Sequence, residues 1–403
     1  MRARRIAVAG AGMAAARFAQ QLLAHAAPGT VELTLYGAEP DGPYNRTLLT
    51  EVLAGRYDGD AICLPRGRGA EIRTGAEVTA VDPTGRTISL ADGSTARYDA
   101  LVLATGAEPV LPPVPGLCGP GGGRLGGVHT LRALADCRRV ADGAGRAGRA
   151  VVVGGGVLGV GVARALTARG LPVTLVHRGP WLMSRQLDSG AARILTAGLA
   201  ALGVAVRTGT EVCALRGTGR VTAVELPDEA LPASLVVFTC GVRPRTHLAR
   251  AAGLVVREGI VVDDALATSA AGIHAIGDCA EVHGTVHGLS GPAWAQADVL
   301  AARLSGAGPD ARWPGSRPLV RLTAGPLQLA AFGPPGDGAA DTCDVLRVAD
   351  ARQGTYKKLV LRGDRLESAL LVGDLSAVGG LIHVWRSDEP LPADPLDLIR
   401  TSS

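Results

Sequence analysis

One short pattern occurs twice in this chain and limits the folds open to it. Residues 4–9, RRIAVA, read as a buried strand. Gly10, Gly12 and Ala15 follow in a GxGxx(G/A) arrangement, then a helix, MAAARFAQQLLAH, then a second strand, VELTLYG (31–37), leading to Glu39. The arrangement returns 144 residues later (154 minus 10). There, strand RAVVV (149–153) precedes Gly154, Gly156 and Gly159, a helix from VLGVGVARALTARG, and strand LPVTLVH (171–177). With 56 glycines in the chain, the glycine spacing alone says little. Strand, glycine turn, helix and strand, twice over, predict two dinucleotide-binding βαβ units.

Each position has a physical task. Gly10 and Gly154 make the tight turn, and Gly12 and Gly156 let the backbone approach a pyrophosphate. Ala15 and Gly159 complete the two patterns. The helix N-terminus offers unsatisfied N–H groups and a positive dipole to that anion, so the cofactor sites extend to Met13, Ala14, Val157 and Leu158. Glu39 suits the ribose hydroxyls of the first nucleotide. The second unit ends in His177–Arg178, where an acid would favour NADH and Arg178 would suit the 2′-phosphate of NADPH. A solvated surface arginine is the competing reading of Arg178. Two dinucleotide sites in one chain predict FAD plus NADH or NADPH, with a hydride passing from nicotinamide to flavin.

The rest of the sequence narrows the class. At 403 residues, two or three domains are expected. A net charge of +4 from 41 basic and 37 acidic residues, with 3% aromatics, excludes a nucleic-acid binder. No run of 18 apolar residues predicts a membrane span. The Arg-rich start reads as the first strand, not as a signal peptide, because Gly10, Gly12 and Arg17 interrupt an apolar helix. Seven cysteines without CxxC or CxxxxC spacing give no metal site. They read as small buried hydrophobes in a reducing cytoplasm. His283 and His287 lie four apart, but Gly284 and Gly288 argue against a metal-binding helix and for a loop. Two Gly/Pro-rich stretches, 115–127 and 307–318, read as linkers.

Residues 98–106, YDALVLATG, and 272–281, GIHAIGDCAE, complete the picture. With the two βαβ units they resemble the two-dinucleotide-binding-domain flavoprotein reductases. PYNRTLLTEVLAG (43–55), GVHTLRALADC (127–137), WLMSRQLD (181–188), GVRPRTHLARAAGL (241–254) and YKKLVLRGDRLESALLVGD (356–374) narrow the resemblance. They are similar to the flavoprotein module of assimilatory NADH nitrite reductase large subunits, to nitrate-assimilation electron-transfer subunits and to NADH–rubredoxin-type reductases. The resemblance implies that Ala104, Thr105 and Gly106 close the first FAD lobe and that Gly277–Asp278 meets the ribityl chain. It implies that Arg46 lies by the FAD phosphates, and that Val78 and Gly241 also line cofactor sites. His177 matches NADH-using relatives by position, which favours NADH.

The implied fold is α/β: two Rossmann-like domains, the second inserted in the first, with a small α+β C-terminal domain. The expected boundaries are 1–115 with 245–312 for FAD, 127–244 for NAD(P) and 313–403 for the C-terminal part. The implied function is an FAD-dependent NAD(P)H oxidoreductase. It passes electrons to an iron–sulfur partner: rubredoxin, ferredoxin or a nitrite reductase component. A homodimer is compatible with this reading. No catalytic side chain is required, because the flavin carries the redox chemistry.

The chain also departs from the pattern. The resemblance puts Glu where Gly161 stands and in place of Ala295 within Trp294–Ala295–Gln296. Related ferredoxin reductases place a lysine after the PY segment, which is absent here, and the stretch from Ile62 to Glu71 is shortened. These departures keep a second reading open, a flavoprotein subunit that binds FAD but has lost NAD(P)H oxidation. On that reading Gly161→Glu speeds flavin reduction.

Overall fold

The structure is a computed structural model, and it describes residues 2–65, 67, 69–119, 122–317, 319–334, 343–392 and 394–399. Parts of both predicted linkers (120, 121 and 318) and of the shortened stretch (66 and 68) lie outside the described residues. The α-helices, in chain order, are α1 (Met13–His25), α2 (Leu49–Leu53), α3 (Leu134–Ala144), α4 (Val157–Ala168), α5 (Ser189–Ala201), α6 (His247–Ala251), α7 (Ser290–Ser305) and α8 (Val378–Ser387).

The chain forms two compact units. The first comprises residues 1–48, 58–108 and 242–316. Its sheet has the order Ile273–Ala275, Ala100–Leu103, Arg4–Ala9, Val31–Tyr36, Ala70–Arg73, and every neighbouring pair is parallel. All four residues of the central ALVL strand are buried, as expected where both faces of a parallel sheet are covered. Helix α1 buries Ala15, Ala16, Phe18, Ala19 and Leu22, and it packs beside α7. Arg17 on α1 forks onto Asp298 of α7, at 2.6 and 3.0 Å.

The second unit comprises residues 49–57, 109–241 and 317–403. One parallel sheet runs Val204–Thr208, Val173–His177, Ala150–Val153, Leu235–Phe238, Val128–Thr130. A second, antiparallel sheet runs Leu319–Ala324, Leu327–Phe332, Arg365–Val372, Thr355–Arg362, Asp344–Asp350. Its central hairpin turns through Gly363–Asp364, with Gly363 at φ +59°, the backbone that a two-residue turn favours in glycine. The fold is therefore α/β, with one Rossmann-like sheet in the chain segment inserted in the other, as the paired βαβ motifs predict.

Two expectations need correction. The end of the 115–127 stretch, from Leu125, is packed rather than loose. Leu125 is buried with Leu215, Val221 and Val224, and a Cβ on Gly127 would stand 2.5 Å from the Ser234 carbonyl oxygen. Glycine serves close backbone approach here, not flexibility. The cysteines are not uniformly buried either. Cys137 and Cys279 are, but Cys63, Cys118, Cys213 and Cys240 are exposed because each follows the end of an element or lies in a connection.

His274, on the edge strand Ile273–Ala275 of the first unit's parallel sheet, gives the fold a pH dependence. Burial drives its imidazole down to about 4, opposed by a hydrogen bond at the Leu266 backbone. The unfolded group titrates near 6.5. Its contribution is therefore full above that value and is lost as pH falls towards 4. Urea-unfolding midpoints should drop between about pH 7 and about pH 5, and should drop less in His274→Gln.

Candidate functional site

In the first unit the glycine turn is formed by close backbone crossings. Gly10 has φ +119° and its N–H donates to the Tyr36 carbonyl at 2.8 Å. A Cβ there would overlap the carbonyl oxygen of Ala104. Gly12 caps α1 without any side-chain hydrogen bond, and no acid lies in the first turn. The N–H groups of this turn are thus left for an outside acceptor. Gly277, at φ +78°, donates its N–H to the Gln296 Oε1 at 2.7 Å, and a Cβ on it would lie 3.1 Å from the Ala14 methyl. The Gly277–Asp278 turn is thereby held against the start of α1. Thr105 donates its hydroxyl to the Arg245 carbonyl at 2.8 Å, and Gly106 takes φ +69°. Val78 is buried in the core of this unit.

Glu39 and Arg46 meet each other beside this turn. The Arg46 guanidinium pairs with one Glu39 oxygen, and Tyr44 donates its hydroxyl to the other at 2.5 Å. Arg46 Nη1 also donates to the Tyr44 hydroxyl at 2.9 Å, and its Nε lies 3.9 Å from where a Gly12 Cβ would be. Tyr44 and Gln296 are functional candidates that motif spacing misses. Their signal is chemical: a buried Tyr or Gln needs a polar partner, and Gln296 is 1% exposed.

The second turn, in the second unit, repeats the construction. Gly154 has φ +111°, receives no clash-free Cβ (2.5 Å from the Thr239 carbonyl oxygen), and donates its N–H to the Val176 carbonyl at 2.8 Å. A Cβ on Gly159 would overlap the Gly154 carbonyl oxygen. Gly156 caps α4 with no side-chain bond and no acid in the first turn, and Val157 and Leu158 are part-exposed there. Gly241 is exposed at φ +101°.

His177 and Arg178 part company. The His177 ring folds under the turn and its Nδ1 accepts the Gly155 N–H at 3.2 Å. That fixes the neutral tautomer with hydrogen on Nε2, and burial followed by the Arg178 charge pushes its pKa down. Arg178 stays exposed at the strand end.

Gly161 faces Thr50. A Cβ at 161 would stand 2.9 Å from the Thr50 Cγ2 and 3.3 Å from its Cβ and Oγ1. One turn on, Arg164 pairs with the buried Glu51, which Arg56 also approaches at 3.3 Å. Ala295 is exposed on α7 beside Trp294. His283 pairs with Asp264, and His287 meets the Trp313 ring edge-on at 5.9 Å, so the two histidines serve different neighbours.

Both turns share one construction: a left-handed glycine, a carbonyl at van der Waals limit and an uncapped helix start. That construction is the one expected of a dinucleotide-binding βαβ turn. The chain belongs to the pyridine nucleotide-disulphide oxidoreductase family, whose model matches residues 4–297. It is 32% identical over 93% of its length to an assimilatory nitrate reductase electron transfer subunit of Bacillus subtilis (strain 168), of which it covers 48%. It is 36% identical, over 69% of its length and 67% of the relative, to a benzene 1,2-dioxygenase system ferredoxin–NAD(+) reductase subunit of Pseudomonas putida. A ferredoxin reductase for the CYP199A2 system of Rhodopseudomonas palustris superposes with a TM-score of 0.86. It is 26% identical, with 99% of this chain and 98% of that one covered. The chain spans about half the length of the assimilatory subunit. Among the described residues, no helix is long and apolar enough to cross a membrane.

The packing at Gly161 alters the expectation for Gly161→Glu. Thr50 already fills the space, so the substitution should lower thermal stability, by about 1–3 kcal/mol for such overpacking. Adding Thr50→Gly should recover part of that loss. Thermal denaturation of the single and double variants checks this.

Proposed function

We propose that this chain takes electrons from NADH or NADPH and delivers them to an iron–sulfur protein in nitrite or nitrate assimilation, in the cytoplasm. The observation that carries the proposal is the pair of uncapped, acid-free helix starts behind glycine turns. The residues present fit the two groups: positions 10, 154 and 159 leave no space for a Cβ against backbone carbonyls, which keeps each turn tight, while the space beside Gly156 is open and that beside Gly12 meets only Arg46 Nε at 3.9 Å, so a ligand can approach the backbone there. FAD, when bound, converts a two-electron donor into a source of single electrons.

The chain's own residues do the holding. Gly10, Gly12 and the first turn of α1 receive the FAD pyrophosphate, and Arg46, its Nη atoms held by Tyr44 and Glu39, brings its charge beside Gly12. Glu39 takes the adenosine ribose, with Tyr44 orienting it. Thr105, Gly106, Gly277 and Asp278 hold the flavin end. Gly154, Gly156, Gly159 and the first turn of α4 receive the nicotinamide dinucleotide. His177 braces this turn from below. With the ring turned inward, Arg178 is the residue exposed towards a ribose or its phosphate, and NADH is retained as the favoured coenzyme on the match of His177 to NADH-using relatives.

The reading predicts a flavin absorption band in the reconstituted protein that bleaches anaerobically on NADH addition, and more slowly on NADPH. A band that stays oxidised with both would favour the subunit that binds FAD without oxidising NAD(P)H, and no bound flavin would defeat both readings. Arg46→Ala should lose FAD during gel filtration under conditions in which the parent protein keeps it.

A further inference from the structure

Of the 41 basic residues all but two are arginine, and the two lysines are adjacent, Lys357 and Lys358. Both are buried on the Thr355–Arg362 strand. Lys357 reaches the Ile399 carbonyl at 3.0 Å and Asp374 at 2.6 Å. Lys358 donates to Asp188 Oδ2 at 3.0 Å, and each side chain is 3% exposed. Tyr356, two residues back and so on the same sheet face, donates its hydroxyl to the same carboxylate at 2.6 Å. The Ala191 N–H, at the start of α5, donates to Asp188 Oδ1 at 2.9 Å. The Arg347 guanidinium approaches Asp188 Oδ2 from further out, at 3.9 Å. Burial by itself would raise the Asp188 carboxyl; the Ala191, Tyr356 and Lys358 donors outweigh it and hold the group below its ordinary range.

Asp188 is also the end of a strap. Residues 181–188 fold on themselves: Trp181 Nε1 donates to the Leu187 carbonyl at 2.9 Å, and the Leu187 N–H donates to the Met183 carbonyl at 2.9 Å. Met183 takes φ +52°, an uncommon backbone for a side chain of its size. From there its N–H donates to the Gly155 carbonyl at 2.8 Å. Leu182 fills the space under the same glycine, 2.6 Å from where its Cβ would be. The antiparallel sheet is thus tied, through one buried carboxylate and one strap, to the middle residue of the second glycine turn. Helix α5 lies close to that sheet because Gly190 and Gly198 carry no side chain against Tyr356 and Leu327.

We infer that Asp188, Lys358 and Tyr356 are positioning residues for the second dinucleotide site. They fix the strap, and the strap fixes the backbone of residues 154–156 in the shape that receives the pyrophosphate. The inference rests on the nucleotide role given above to that turn. It assigns the C-terminal sheet a part in coenzyme binding, although it contributes no residue to the glycine motif.

The test uses the FAD-loaded full chain and two variants. In Lys358→Met, hydrogen exchange at the amides of residues 154–159 should quicken at least about tenfold well below the melting temperature, while the Val128–Thr130 strand exchanges as before. The KM for NADH should rise about fivefold or more, with flavin content kept and kcat within about twofold. Tyr356→Phe, which removes only the hydroxyl, should move the same quantities less and keeps the test open should Lys358→Met fold poorly. Adding Asp188→Asn to Lys358→Met should return part of the KM, because the uncompensated buried charge is gone. A lowered melting temperature with unchanged exchange at 154–159 and unchanged KM would overturn the inference. If the parent protein oxidises neither NADH nor NADPH, the functional reading fails, and the exchange measurement still decides whether the sheet positions the turn.

Discussion

At Gly10 and Gly159 a single added carbon would collide with a backbone carbonyl oxygen, and at Gly154 it would come within 2.5 Å of one. Much of the remaining architecture follows from keeping those crossings tight. A strand must deliver the chain to the turn and a helix must carry it away at once, which requires a parallel sheet with helices laid on it. The helix must begin without a capping side chain, so its first N–H groups go unsatisfied within the protein. An aspartate or serine cap would stabilise such a helix by about 1 kcal/mol. Both α1 and α4 forgo it, and on the proposed reading a bound anion supplies the missing acceptor.

Because this constraint is local, it was readable from the sequence. Gly10, Gly12, Gly154, Gly156 and Gly159 sit between an apolar run and a helical one, and the sheets follow from runs such as ALVL and AVVV. The α+β character of the C-terminal stretch was readable for the same reason. What could not be read were the meetings of residues far apart in the chain. Asp188 and Lys358 are separated by 170 positions, and nothing in WLMSRQLD or YKKLVL announces that one answers the other. The three-way closure of Glu39, Tyr44 and Arg46 is short-range, yet its geometry depends on the turn at residues 40–43 and not on a periodicity.

The segment 49–57 shows most clearly how packing overrides sequence order. It lies between two stretches of the first unit, and its contacts put it in the second. Its polar contacts explain the placement. Cys137 lies against the Leu49 carbonyl at 3.5 Å, Arg169 donates to the Leu53 carbonyl, and Glu51 lies between Arg164 and Arg56. Spacing rules do not detect such a crossing, because the determinant is a set of buried polar groups that must find partners.

That crossing bears on the glycine at 161. The resemblance puts a glutamate there, and its absence looks at first like the loss of a functional acid. The packing gives the position another cause: α4 needs a residue without a side chain so that Thr50 can lie against it. A carboxylate is still present nearby in Glu51, but it is committed to two guanidiniums. Removing Glu51 would leave the buried Arg164 charge without compensation, which costs about 3–5 kcal/mol. Burial already pushes the Arg164 guanidinium down, against the pull of Glu51, so this pair has little latitude. Position 161 and the Glu51–Arg164 pair therefore form one packing solution. An acid restored at 161 would have to displace Thr50 before it reached any ligand.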